Sequence, residues 1–189
     1  MNDEYRAYWD AAYEAKQYLG DEVETHRELW DGIFRKHRTP EWARNRAWEI
    51  GGDWKLLVLA EDWCGDASNT VPVLVRFAEA LPNVDLRILK RDENLELMDR
   101  WLTNGSRSIP LALVLDSDFE PVGRWGPRPA VLQEFVLGEK KAGLRPKEEI
   151  YRDARRWYAR DNGETTLREL LETLGAARGE MERVGEKTE

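Results

Sequence analysis

Residues Lys55 to Ala60 form a short, almost purely apolar run with no polar alternation. A strand without alternation has both of its faces covered, so it belongs at the centre of a sheet with helices packed over it. That requirement confines the chain to a layered α/β arrangement and calls for partner strands and helices elsewhere. They follow in order. From Gly65 to Leu81, residues Val71, Leu74, Val75, Phe77, Ala78 and Leu81 keep a helical period, with Pro72 near the front able to kink the helix. Val84 to Leu89 alternates as a strand, and Asn94 to Leu102 reads as a helix stopped by Asn104-Gly105. After Ile109-Pro110, Leu111 to Leu115 and Pro121 to Trp125 read as a hairpin across Asp116-Ser117-Asp118, and a helix follows Pro127.

The flanks read as helical. Tyr5, Trp9, Ala12 and Tyr13 recur at helical spacing, and Leu29, Trp30, Ile33, Phe34 and His37 do the same after a break at Gly20. A third short helix, with Thr39 as cap and Pro40 in its first turn, carries Trp42 and Trp48 and ends at Gly51-Gly52. Core packing is the expected role of these aromatics, with a stacking or partner surface as the alternative. The expected organisation is an N-terminal helical extension over residues 1–52, a core over 53–138, C-terminal helices over 139–175 and a disordered tail over 176–189. Within the C-terminal helices, Glu148 to Arg160 and Thr166 to Leu174 carry the pattern. Arg145, Lys147, Arg152, Arg155, Arg156 and Arg160 read as a solvated face laced with Glu148, Glu149 and Asp153, rather than as a docking site for an acidic partner.

At 189 residues and 41% hydrophobic, the chain suits one buried core with appendages. A net charge of -8 disfavours nucleic acid and anionic lipid as partners. No apolar run reaches membrane-spanning length, and the opening Met1-Asn2-Asp3-Glu4 is acidic where a secretory signal is basic, so a cytoplasmic location is expected. The single cysteine, Cys64, excludes an internal disulfide and fits a reducing compartment. His26 and His37 would stand roughly 16 Å apart on a shared helix, too far to hold one ion, and the chain lacks both the G-x-x-x-x-G-K-[ST] and G-x-G-x-x-G patterns. Neither a metal nor a cofactor is implied. The oligomeric state is not encoded in any motif.

Cys64 stands where the apolar strand runs through Glu61-Asp62-Trp63 into a helix start. Three features belong together: Trp63-Cys64-Gly65 at that strand-to-helix turn, Ile109-Pro110 before a later strand, and a final hairpin carrying Gly123 and Gly126. Cys64 and Pro110 lie 46 residues apart. Over about residues 53 to 138 this pattern resembles the thioredoxin-like superfamily. The resemblance implies a thioredoxin fold, an α/β core with a central mixed sheet flanked by helices, here with extra N- and C-terminal helices. Trp63-Cys64-Gly65-Asp66 with Asn69-Thr70-Val71-Pro72-Val73, Arg91-Asp92-Glu93-Asn94 and Arg124-Trp125-Gly126 resembles, more narrowly, an uncharacterised bacterial group with a single-cysteine WCGD motif.

The resemblance makes Cys64 the candidate catalytic residue and Trp63, Gly65, Asp66, Ile109 and Pro110 the candidate substrate-binding residues. A cis Pro110 would let Ile109 offer its backbone N–H and C=O to an extended peptide. Trp63 is expected to pack beside the thiol and shape access to it, with a plain core role as the alternative. Asp66 reads as a stabilising first-turn anion, or else as an acid-base group for exchange. The chain departs from dithiol thioredoxins at three positions: Asp66 replaces a proline, Ala67 the second cysteine, and Val58 a buried acid on the preceding strand. The buried acid serves the resolving cysteine, so the two are absent together.

A helix N-terminus favours a thiolate by roughly 0.3 to 1 kcal/mol. One carboxylate at about 6 Å opposes it by about 0.7 kcal/mol at ε near 80, or about 3 at ε near 20. Glu61, Asp62 and Asp66 are therefore expected to make Cys64 less acidic than a typical thioredoxin nucleophile. Two readings stand. In one, Cys64 exchanges with a low-molecular-weight thiol or protein mixed disulfide and is resolved by an external thiol. In the other, the fold is a redox-inactive binding module. Glutathione-assisted iron–sulfur binding is a weaker third, because Gly-Asp-Ala follows Cys64 and an acidic surround suits glutathione carboxylates poorly.

Overall fold

The computed structural model describes residues 1–185. The chain opens with α1 (Asp3–Ala11), a two-residue strand β1 (Tyr13–Glu14), a short α2 (Ala15–Gln17) and a π-helical turn over Tyr18–Glu22. Helices α3 (Arg27–Lys36) and α4 (Glu41–Ile50) lead into β2 (Trp54–Ala60), α5 (Gly65–Glu79) and β3 (Val84–Lys90). After the one-turn α6 (Leu95–Asp99) come the hairpin β4 (Leu111–Leu115) and β5 (Pro121–Trp125), then α7 (Ala130–Ala142), α8 (Lys147–Asp161) and α9 (Glu164–Gly185).

The five strands form one mixed sheet in the order β1-β3-β2-β4-β5. Central strand β2 pairs parallel with β3, Leu56 opposite Leu86, and antiparallel with β4, Leu57 opposite Leu113. A parallel pair needs a crossover, and α5 supplies it. Leu56 through Ala60 are all buried, as the unalternating run requires. The main core joins this sheet to α1, α3, α4, α5 and α9, while Leu132, Val136, Ile150, Ala154 and Tyr158 form a second cluster between α7 and α8. No helix among the described residues is long and apolar enough to cross a membrane.

Six local expectations change. Tyr13 leaves the first helix and pairs with Ile88 as an edge strand, because the backbone turns extended at Ala12. Thr39 does not cap α4: its hydroxyl donates to the Arg76 carbonyl at 2.9 Å, and Pro40 takes the cap position. The helix expected over Asn94 to Leu102 shrinks to α6, whose buried residues are Leu97 and Met98. The tail expected to be disordered from residue 176 continues α9 to Gly185, with Ala177 buried and Met181 packed on the core; residues 186–189 lie outside the described residues. The expected boundary at 138/139 falls inside α7. Of the N-terminal aromatics, Tyr5, Trp9 and Trp30 are buried as expected, but Trp48 is 75% exposed.

Candidate functional site

The site is built where β2 ends. Its strand direction carries Glu61-Asp62-Trp63 out of the sheet, and Cys64 then takes the N-cap position of α5. The thiol is 9% exposed. Sγ accepts the Ala67 N–H at 3.5 Å and donates to the Ile109 carbonyl at 3.4 Å. The Ile109–Pro110 bond is cis, and Pro110 leads directly into β4. The register of β4 against β2 thus brings Ile109 back to Cys64 across 45 residues of chain. The Ile109 carbonyl, expected to face a peptide, is engaged by the thiol itself. Gly126 keeps this corner closed: at φ +116°, a Cβ there would stand 2.2 Å from the Pro110 carbonyl oxygen.

Beside the thiol opens a cleft of about 430 Å³. Trp63, Gly65, Asp66 and Ile109 line it with Cys64. Pro110 stands behind Ile109, buried. Trp63 is 47% exposed, so it is not a core residue, and the Arg91 guanidinium sits 5.3 Å from its ring centroid. The opposite wall comes from α8, through Tyr151, Ala154, Arg155 and Tyr158. Asp66 crosses between the walls. One of its oxygens accepts the Tyr158 hydroxyl at 2.8 Å and the other pairs with Arg128, both side chains of that ion pair being largely buried. This ties the start of α5 to α8 and to the turn before α7, and it engages both carboxylate oxygens.

The thiol is held less acidic than normal, as expected from the sequence, but the cause is different. Burial raises the Cys64 pKa most; the Asp66 charge adds to this, while the Ala67 N–H and Arg128 pull against it. The other two carboxylates are engaged elsewhere. Glu61 accepts the Asp92 N–H at 2.7 Å, and burial raises its pKa. Burial also pushes Asp62 up, but the N–H groups of Thr25 and Glu24, at 2.6 and 2.9 Å, outweigh it and hold the carboxyl low. Neither lines the cleft. The acidic surround expected from the sequence is therefore corrected: arginines at 91, 107, 128 and 155 face the cleft against the single carboxylate of Asp66.

Arg128 carried no sequence signal that separated it from surface residues, and Tyr158 was not singled out. Arg155, expected on a solvated face, lines the cleft. The spacing Ile150, Ala154, Tyr158 marks an inward stripe on that helix and was the available clue. The solvated-face reading does hold for Arg145, which pairs with Glu139 and Asp153, and for Arg156, which pairs with Asp153. His26 and His37 flank α3 rather than meeting; His26 lines the cleft and His37 is buried. No group of three histidine, cysteine or acidic side chains among the described residues is placed to hold a metal.

A family model described as Thioredoxin, Thioredoxin_9, matches residues 12–148. Among solved structures, a protein of unknown function from Pseudomonas aeruginosa is 22% identical, with a TM-score of 0.70 over 90% of this chain and 96% of that one. An HIV epitope-scaffold is 21% identical, with the same TM-score and the same coverage. No curated protein matches. At this level of identity the two structures establish the shared fold and nothing about activity.

Proposed function

The chain belongs to the thioredoxin family, and from that premise we propose that it performs monothiol thiol–disulfide exchange through Cys64. One observation carries the reading: the chain's single thiol caps α5, faces the cis-Pro110 loop and borders a cleft large enough for a small molecule. Cys64 Sγ attacks one sulfur of a disulfide R–S–S–R, forming the Cys64–S–S–R bond as the S–S bond breaks. The leaving RS⁻ takes the electron pair, and the proton released from Cys64 returns it to RSH. Cys64 is oxidised and the leaving sulfur reduced. A different external thiol, R′SH, then attacks the Cys64-bound R sulfur, releasing R–S–S–R′ and restoring the Cys64 thiol, so that R–S–S–R and R′SH become RSH and R–S–S–R′. Ala67 offers no internal resolving thiol, so turnover depends on that external one.

A second reading, a redox-inactive binding module, is favoured by the burial of Cys64 and by the Ile109 carbonyl that holds its proton. Incubating the protein with the mixed disulfide of a small thiol and weighing the intact chain separates the two. The exchange reading expects a mass gain on Cys64 that a reduced small thiol reverses. No adduct, under conditions in which a small alkylator labels Cys64, would leave the binding module. That module expects Cys64→Ser to leave binding unchanged.

A further inference from the structure

The cleft is electropositive in a chain of net charge -8, and its positive groups differ in how they are satisfied. Arg107 is held bidentately by Asp99, at 2.6 and 2.8 Å, and Arg91 by Asp92 at 2.7 Å; neither carboxylate lines the cleft. Arg128 is neutralised by Asp66, yet its Nε is buried without a hydrogen-bond partner. Arg155, on the α8 wall, is exposed and makes no ion pair or hydrogen bond among the described residues. Inside the cleft, both oxygens of the only lining carboxylate are already engaged. A bound anion would therefore meet one guanidinium without an acceptor, that of Arg155, beside two whose paired carboxylates stand outside the cleft, with no free carboxylate in it to repel the anion.

We propose that the cleft selects a small, carboxylate-bearing thiol or its disulfide, with Arg155 and the Arg91–Arg107 wall holding its negative groups while its sulfur faces Cys64. This deepens the exchange reading above and rests on it for the reaction, but not for the binding. Size favours a small molecule over a protein chain. Residues of α8 line the same cleft as the thiol, and its volume of about 430 Å³ is within the range of small-ligand pockets. Guanidinium groups suit a carboxylate through paired N–H donors. Charge at the mouth of a cleft also raises the arrival rate of the oppositely charged ligand, by tenfold or more, and salt weakens that effect.

The test uses the full chain and compares alkylation of Cys64 by iodoacetate, an anion, and iodoacetamide, its neutral counterpart. Each rate is divided by that of free cysteine. Both reagents consume the same thiolate, so the acidity of Cys64 cancels in their ratio. The expected normalised ratio is about fivefold or more in favour of iodoacetate, falling with salt. Arg155→Gln and Arg107→Gln should each lower it at least about twofold, and Arg178→Gln on α9 should not. A variant that unfolds reveals itself by an iodoacetamide rate close to that of free cysteine, and the other variant then decides. A ratio at or below one, or one unmoved by both cleft substitutions, overturns the proposal.

Transfer onto Cys64 from oxidised glutathione, neutral hydroxyethyl disulfide and cationic cystamine forms the second arm, with the first expected to be about tenfold faster than the last. Equal rates from all three would overturn the selectivity and leave exchange standing. No transfer from any, with the iodoacetate preference retained, would refute exchange and uphold the anion-selective cleft. Faster transfer from a protein disulfide than from oxidised glutathione would overturn the assignment to a small thiol.

Discussion

Cys64 is held at both ends of its sulfur: the Ala67 N–H points at it and the Ile109 carbonyl receives its proton. The first contact favours the thiolate, the second the thiol, and burial decides for the thiol. Its alkylation rate should therefore inflect above the roughly 8.5 of an unperturbed thiol, and an inflection at or below that value would contradict the account. Asp66→Asn gives the sharper check. It removes a negative charge that raises the thiol, so the inflection should move down. It also leaves Arg128 buried with its charge unopposed, so urea denaturation should show a loss of about 3 kcal/mol. A more reactive thiol in a less stable protein is an unusual pairing, and an unchanged inflection would show that Asp66 does not act on Cys64. The position of Cys64 at a helix start was legible from its neighbours in the chain. Its engagement with Ile109 was not, because that contact depends on strand register.

At the scale of elements, β2 and the helix after it were readable because burial on both faces and a helical apolar period leave a direct trace in residue order. The turn into α7 was not. Its first N–H groups are satisfied from a distant helix: Glu169 on α9 accepts the Ala130 N–H at 2.7 Å and the Trp125 indole N–H at 2.9 Å. One carboxylate thus fixes the end of β5 and the start of α7 together, next to the Arg128 that supports Asp66. Glu169→Ala should cost about 2–3 kcal/mol in urea denaturation, since both bonds run to a charged acceptor. Glu169→Gln, which keeps one oxygen acceptor, should cost less. Equal stability of Glu169→Ala and the parent would show that the bridge contributes nothing.

For the whole molecule, the flanking segments share their buried core with the sheet. The N-terminal region supplies the edge strand β1, and α9 packs on α4, α5 and β5. Truncation after Gly175 removes buried Ala177 and the contact of Met181. It should cost about 1–2 kcal/mol by the apolar surface returned to water, or roughly 3–6 °C in Tm. A truncated chain melting with the parent would restore the reading of a dispensable tail. The glycines and glutamates after Leu174 suggested that tail, but Ala177 and Met181 extend the buried face of Leu167, Leu170, Leu171 and Leu174.

Residue order alone determined the central strand, the succession of strands and helices from β2 to α7, and the placing of Cys64 at a helix start. Each follows from local periodicity or from neighbours a few residues apart. The charge around the thiol was decided only by the tertiary structure. Along the chain Cys64 has acidic neighbours, Glu61, Asp62 and Asp66; in space they are engaged by backbone N–H groups, Arg128 and Tyr158, and arginines from four separate segments replace them. Electrostatic interaction follows distance through space, and proximity in sequence fixes that distance only within an element.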